Sequence, residues 1–173
     1  MKCVPLAKPS SPRPPRAADV MPRIAETRRL PWSPEQMFDL VADVKRYGEF
    51  LPWVVATRIK FDSETEMVAD MLVGFNALRE KFTSRVHKRR PASIVVEYVD
   101  GPMRQLENSW HFAPDGGGGC TIDFCVDFTF RNALFEKLAG QYLDRAFRKM
   151  VNAFEARAEV LYGSSSSSAT SVA

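Results

Sequence analysis

Two histidines and three cysteines are few for 173 residues, and their scarcity narrows the chemistry. Cys3 falls in a proline-rich segment. Cys120 and Cys125 are five apart on a candidate strand, so they point to opposite faces. That spacing excludes a CxxC redox pair, half of a zinc site and a disulfide framework, and reduced thiols in a cytoplasmic protein are the expectation. His87 and His111 alternate with apolar neighbours and are expected to face solvent. No GxSxG, HExxH or phosphate loop occurs, so no catalytic residue, metal site or cofactor is expected. Asp123 and Asp127 share a strand face but stand ~13 Å apart by strand rise, too far to act as a carboxylate pair on one bond. No apolar run approaches the roughly 20 residues of a membrane-crossing helix.

An excess of one charge is lacking too. The formal net charge is +3, but residues 1–22 carry it, with Lys2, Lys8, Arg13 and Arg16 against Asp19. The remainder balances 20 basic against 20 acidic residues. Such a domain gives no reason to expect DNA as a partner. One basic concentration remains in Lys88-Arg89-Arg90, with Arg79, Lys81 and Arg85 nearby. It reads as a solvated strand face interrupted by Glu80, with an RNA or anionic-membrane patch as the alternative.

Residues 1–22 hold Pro5, Pro9, Pro12, Pro14, Pro15 and Pro22, and are expected to be a disordered basic tail. Met21, just before the patterned sequence, is a second candidate start. Residues 164–173 are Ser-rich and aperiodic and read as a second tail. Residues 23–163 then form one domain.

Within that domain, Ile24–Leu30 reads as a strand. Ser33-Pro34-Glu35-Gln36 is a helix start, with Ser33 as cap, Pro34 at the first helical position and Gln36 completing a capping box. Met37, Phe38, Leu40 and Val41 carry that helix to about Asp43, and Lys45–Phe50 reads as a second short one. From Val54 to Phe130 the period is two. Val55, Thr57, Ile59 and Phe61 share one face, as do Met67, Ala69, Met71 and Val73. Leu78, Phe82 and Val86 oppose the basic residues. Leu106, Asn108, Trp110 and Phe112 form another apolar-side row, and Ile122, Phe124, Val126, Phe128 and Phe130 the cleanest. One long helix, about Ala133 to Tyr162, closes the chain behind the cap Asn132, with Leu134, Leu138, Tyr142, Phe147, Met150, Val151, Phe154, Ala158 and Leu161 in its apolar stripe. Strand, two helices, six strands and a long helix predict an α+β fold, a curved antiparallel sheet wrapped around the last helix.

Four segments carry a resemblance. Tyr47-Gly48-Glu49-Phe50-Leu51-Pro52-Trp53 resembles "YPEFLPWC", and Arg79 to Val86 resembles "REKFTSRV". Glu97 to Pro102 resembles "EYIDGPF", and Phe154 to Ala158 resembles "AFEARA". Together they resemble the coenzyme Q-binding protein family, which includes the bacterial ribosome-association toxin, within the START-like polyketide cyclase/dehydrase and lipid transport superfamily. Gly48 and Val54 depart from the pattern, where the family often has Pro and Cys.

The resemblance implies a helix-grip fold and a non-catalytic chaperone that binds ubiquinone or another polyprenyl lipid and supports quinone biosynthesis and respiration. The alternative is a ribosome-associated toxin that binds the large subunit and blocks subunit association. A second is a polyketide cyclase or aromatase, which would need polar cavity residues such as Asn108 or Tyr98. The implied cavity would be lined by Phe82, Tyr98, Trp110, Phe124, Phe128, Tyr142, Phe147 and Met150. Phe50, Leu51 and Trp53 would guard its mouth, with Pro52 setting their direction. The implied location is cytoplasmic, with peripheral, transient contact at the inner membrane. An empty apolar cavity of ~300 Å³ would cost about 7 kcal/mol, so a bound ligand is expected.

Overall fold

A computed structural model describes residues 23–163 except Asn76. The two expected tails lie outside the described residues. The elements run β1 (Arg23–Leu30), α1 (Pro34–Ala42), a 3-10 turn (Val44–Arg46), α2 (Tyr47–Phe50), β2 (Val54–Asp62), β3 (Glu66–Phe75), β4 (Leu78–Arg89), β5 (Ser93–Asp100), β6 (Met103–Pro114), β7 (Cys120–Phe130) and α3 (Ala133–Tyr162). The strands form one antiparallel sheet in the order β1-β7-β6-β5-β4-β3-β2. The expected α+β architecture is the observed one.

Local chemistry sets the helix ends. The Ser33 hydroxyl accepts from the Gln36 N–H while the Gln36 side chain accepts from the Ser33 N–H, satisfying two donors a bare helix end leaves unpaired. Asn132 caps α3 by accepting from the Leu134 N–H at 2.8 Å. The β5–β6 turn needs Gly101, whose φ is +142° and whose added Cβ would stand 2.7 Å from the Phe82 Cβ.

Residues directly opposite in an antiparallel ladder share a face, so the register defines the sheet's inner face. One row crosses six strands through Ile24, Val126, Asn108, Val96, Val86 and Met67. The next runs through Glu26, Phe124, Trp110 and Ile94. On the other side lie Phe128 opposite Leu106, Tyr98 opposite Ser84, and Phe82 opposite Met71. The core forms where α1 and the second half of α3 cover this face. Met37, Phe38, Leu40 and Val41 pack there with Ile94, Phe112, Ile122, Phe154 and Ala158.

Two sequence expectations are corrected. β2 breaks its alternation at bulges between Val54 and Ala56 and between Ile59 and Phe61. A bulge inserts one residue and turns its neighbours to the other face. Val55 and Phe61 are therefore half exposed, at 50% and 51%, instead of sharing a buried face with Ile59. The apolar stripe of α3 is also incomplete, because Leu134 and Leu161 are exposed.

Cys120 and Cys125 do point to opposite faces, facing Leu30 and Ala25. Cys120 is a fully buried free thiol that burial, with Asp115 and Glu35 nearby, pushes up to about 11.

Candidate functional site

Between the inner face and α3 lies a cavity of about 40 Å³, walled by Trp110, Ile122 and Phe124 of the sheet, Met37 and Val41 of α1, and Phe147, Met150, Val151 and Phe154 of α3. Ring packing accounts for its small size. Phe147 stacks on Phe124 at 5.4 Å, and Trp110 stands edge to face with Phe124 at 4.5 Å. At ~24 cal/mol per Å³ such a void costs only about 1 kcal/mol. The expected ~300 Å³ void, with its large penalty, is therefore corrected: interdigitating rings fill the space.

Four of the sequence-expected lining residues, Trp110, Phe124, Phe147 and Met150, meet at this cavity. Three more, Phe82, Tyr98 and Phe128, lie on the same face nearer the β5–β6 turn. They are half-buried there, with Leu106, Val126 and Val96. In the first half of α3, Leu134 is 61% and Tyr142 36% exposed. The inner face is thus closed under the second half of α3 and is half-buried toward the β5–β6 turn.

The residues expected at a mouth are placed otherwise. Leu51 is in the core and Trp53 packs against it. Phe50 meets Phe154 edge to face at 5.2 Å and carries the Arg157 guanidinium over its ring. Arg157 also binds Glu49 at 2.7 Å. Pro52 is exposed. This segment fastens α2 to α3. An open groove of about 490 Å³ lies beside it, between the Val44–Arg46 turn and β2, lined by Ala42, Asp43, Lys45, Thr57, Ile59, Asp62 and Met67. Ile59 and Met67 place it against the inner face from the β2 edge.

Polar groups at the site are sparse. Arg28 bonds Glu26 beside it and Glu155 of α3 at 3.2 Å, and all three border the cavity. The sequence held a signal for this trio that went unread: Glu26 and Arg28 sit at the inward positions between Ile24 and Leu30. The Tyr98 hydroxyl accepts from the Met103 N–H. Among the described residues the Asn108 Oδ1 is buried with no hydrogen-bond partner, and an unsatisfied buried acceptor costs about 1–3 kcal/mol. Two tyrosines tie the helices down. Tyr47 donates to the Val41 carbonyl and Tyr162 to that of Gln36 at 3.1 Å. Burial first, then nearby Asp residues, raises both phenols.

Lys88, Arg85 and Arg90 of the basic concentration are salt-paired. Lys88 binds Asp62 at 2.6 Å, Arg85 lies between Glu66 and Glu97, and Arg90 holds Asp39 with two bonds of 2.8 and 2.9 Å. His87 contacts Glu97 at 3.2 Å, and Asp123 and Asp127 serve Thr27 and Arg23 of β1. Salt pairing lowers the net charge these three cations offer to phosphates. Among the described residues no group of three or more His, Cys, Asp and Glu is placed to hold a metal, and no helix is long and apolar enough to cross a membrane.

The profile of the polyketide cyclase / dehydrase and lipid transport family matches residues 30–155. The Ribosome association toxin RatA of Escherichia coli K12 is 37% identical over 143 residues, covering 83% of this chain and 90% of the toxin. The mitochondrial Coenzyme Q-binding protein COQ10 homolog B of Xenopus laevis is 34% identical, covering 80% of this chain and 59% of that protein. Among solved structures, an 18 kDa protein of Caulobacter crescentus is 38% identical with a TM-score of 0.67, covering 83% of this chain and 99% of that one.

Proposed function

The chain belongs to the polyketide cyclase / dehydrase and lipid transport family, and we propose that it is a non-catalytic binder of an apolar, isoprenoid-like ligand held between α3 and the sheet. The carrying observation is the apolar inner face toward the β5–β6 turn, continuous with the cavity at Trp110 and Phe124, where Phe82, Tyr98, Leu106, Val126 and Phe128 are half-buried. Each CH₂-sized group buried there contributes roughly 0.8 kcal/mol, so a few isoprene units would bind without a polar code. Ubiquinone remains one ligand of this class.

For the cellular role, the relatives favour ribosome association over quinone chaperoning, reversing the order that the motifs suggested. The K12 sequence named for ribosome association aligns over 90% of its length, the one named for coenzyme Q binding over 59%. Cyclase chemistry is the weaker reading, since the Tyr98 hydroxyl already serves the Met103 backbone.

The test has two arms. Overproduction should deplete assembled ribosomes in a sucrose gradient, with the protein co-sedimenting with a subunit. An unchanged gradient returns the role to quinone chaperoning. Native mass spectrometry of the purified protein should show a co-purifying lipid or added prenyl ligand. Absence of both, at micromolar ligand, overturns the binding reading.

A further inference from the structure

The apolar row across six strands contains one polar side chain, Asn108. Its cross-strand neighbours are Val96 and Val126, and its same-strand neighbours on that face are Leu106 and Trp110. Its Oδ1 is buried and has no partner among the described residues. The cavity wall at Trp110 begins two residues away, about 7 Å along the strand. A well-packed sheet face has no use for an amide here, and valine would match both neighbours.

We infer that Asn108 is the anchor for the polar end of the bound molecule, which is a neutral amphiphile with a hydroxyl or ring carbonyl on an apolar body. This rests on the binding reading proposed above. A carboxamide accepts through its oxygen and donates through its nitrogen, and a half-turn exchanges the two. It therefore meets a hydroxyl or a carbonyl equally. Charge at the cavity favours a neutral head. The one cation bordering it, Arg28, is already held by Glu26 and Glu155. Two carboxylates against one guanidinium disfavour an anionic head such as a fatty acid's. Selectivity comes from the amide, affinity from the apolar floor.

The experiment uses the full chain and displacement of Nile red by three C15 probes: farnesol, farnesoic acid and the hydrocarbon farnesane. The wild type should bind farnesol best and the acid worst. Asn108→Leu should lose roughly two- to tenfold affinity for farnesol while binding farnesane as before. Its melting temperature should be unchanged or raised, which separates lost recognition from lost folding. Asn108→Val is a second variant if leucine overpacks the site. Retention of the alcohol-over-hydrocarbon preference in a folded Asn108 variant overturns the inference and leaves the binding reading standing. Failure of the wild type to bind both farnesol and farnesane overturns the binding reading and the anchor with it.

Discussion

Trp110 of β6 and Phe154 of α3 meet at 5.5 Å between ring centroids with planes inclined by 61°. Phe154 also meets Tyr47 and Phe50 edge to face, at 5.5 and 5.2 Å. One ring therefore joins the sheet, α2 and the second half of α3. Edge-to-face pairs contribute about 0.5–1.5 kcal/mol beyond area burial. Phe154→Ala should cost about 3–5 kcal/mol, read as a lower urea midpoint with little change in slope. Phe147→Ala, beside the existing cavity, should cost less.

Gly101 makes a sharper comparison. Its φ of +142° disfavours any side chain, and its Cβ would stand 2.7 Å from the Phe82 Cβ and 2.9 Å from the Phe82 Cα. Neither atom can move without shifting β4. Gly101→Ala should cost about 2–3 kcal/mol. Gly116 also has a positive φ, +85°, but a Cβ there meets nothing within 4 Å. Gly116→Ala should cost about 1 kcal/mol. Equal losses in urea denaturation would reject the steric account of Gly101.

Acid stability should depend on Asp70, which is buried on the outer face of the sheet. Its carboxylate accepts from Lys60 at 2.7 Å and Thr83 at 2.6 Å. The Lys60 bond first, then that of Thr83, lowers its pKa in the fold. A carboxyl with a depressed folded pKa stabilises fully above its unfolded value, near ~3.9, and loses that contribution as pH falls through the folded value. The urea midpoint should therefore fall below about pH 4, and Asp70→Asn should flatten that limb while lowering the plateau at neutral pH. An unchanged acid limb in the variant would assign the loss to other carboxylates.

The legibility of the chain tracks the range of the forces involved. The β7 alternation and the Ser33–Gln36 box are local, and the fold confirms both. The β2 bulges have no glycine or proline to announce them, so Phe61 read as inward when it is outward. The cavity could not be sized from composition, because its volume depends on how Phe147 meets Phe124 across 23 residues of chain. Counting aromatics finds the lining and not the space left between them. The charged trio of Glu26, Arg28 and Glu155 joins the two ends of the domain and shows only in the register.

Phe61 and Phe128 turn that lesson into a measurement. Phe61→Ala should change stability by less than about 0.5 kcal/mol and leave prenyl binding intact, since the ring is already half in water. Phe128 stands opposite Leu106 on the half-buried inner face and edge to face with Phe130 at 5.5 Å. Phe128→Ala should weaken farnesol binding roughly tenfold, as removing ring area from the apolar face proposed to hold the ligand forfeits more than 1 kcal/mol. Equal effects from the two variants in the dye-displacement assay would place the ligand elsewhere.

The last expectation concerns how a ligand enters. A space of 40 Å³ holds about one water, against the hundreds of Å³ of a ligand-sized pocket. Uptake therefore requires α3 to move relative to the sheet. Its second half is fixed by Phe154, by fully buried Ala158 and by the Tyr162 bond to Gln36. Its first half carries exposed Leu134 and Tyr142. Motion should concentrate at residues 133–146, the half that carries these exposed side chains. Amide exchange there should be faster than at residues 150–162 in the free protein, and should slow several-fold on adding farnesol. Exchange that slows instead at α2 and β2 would move the entrance to the groove lined by Ile59 and Met67.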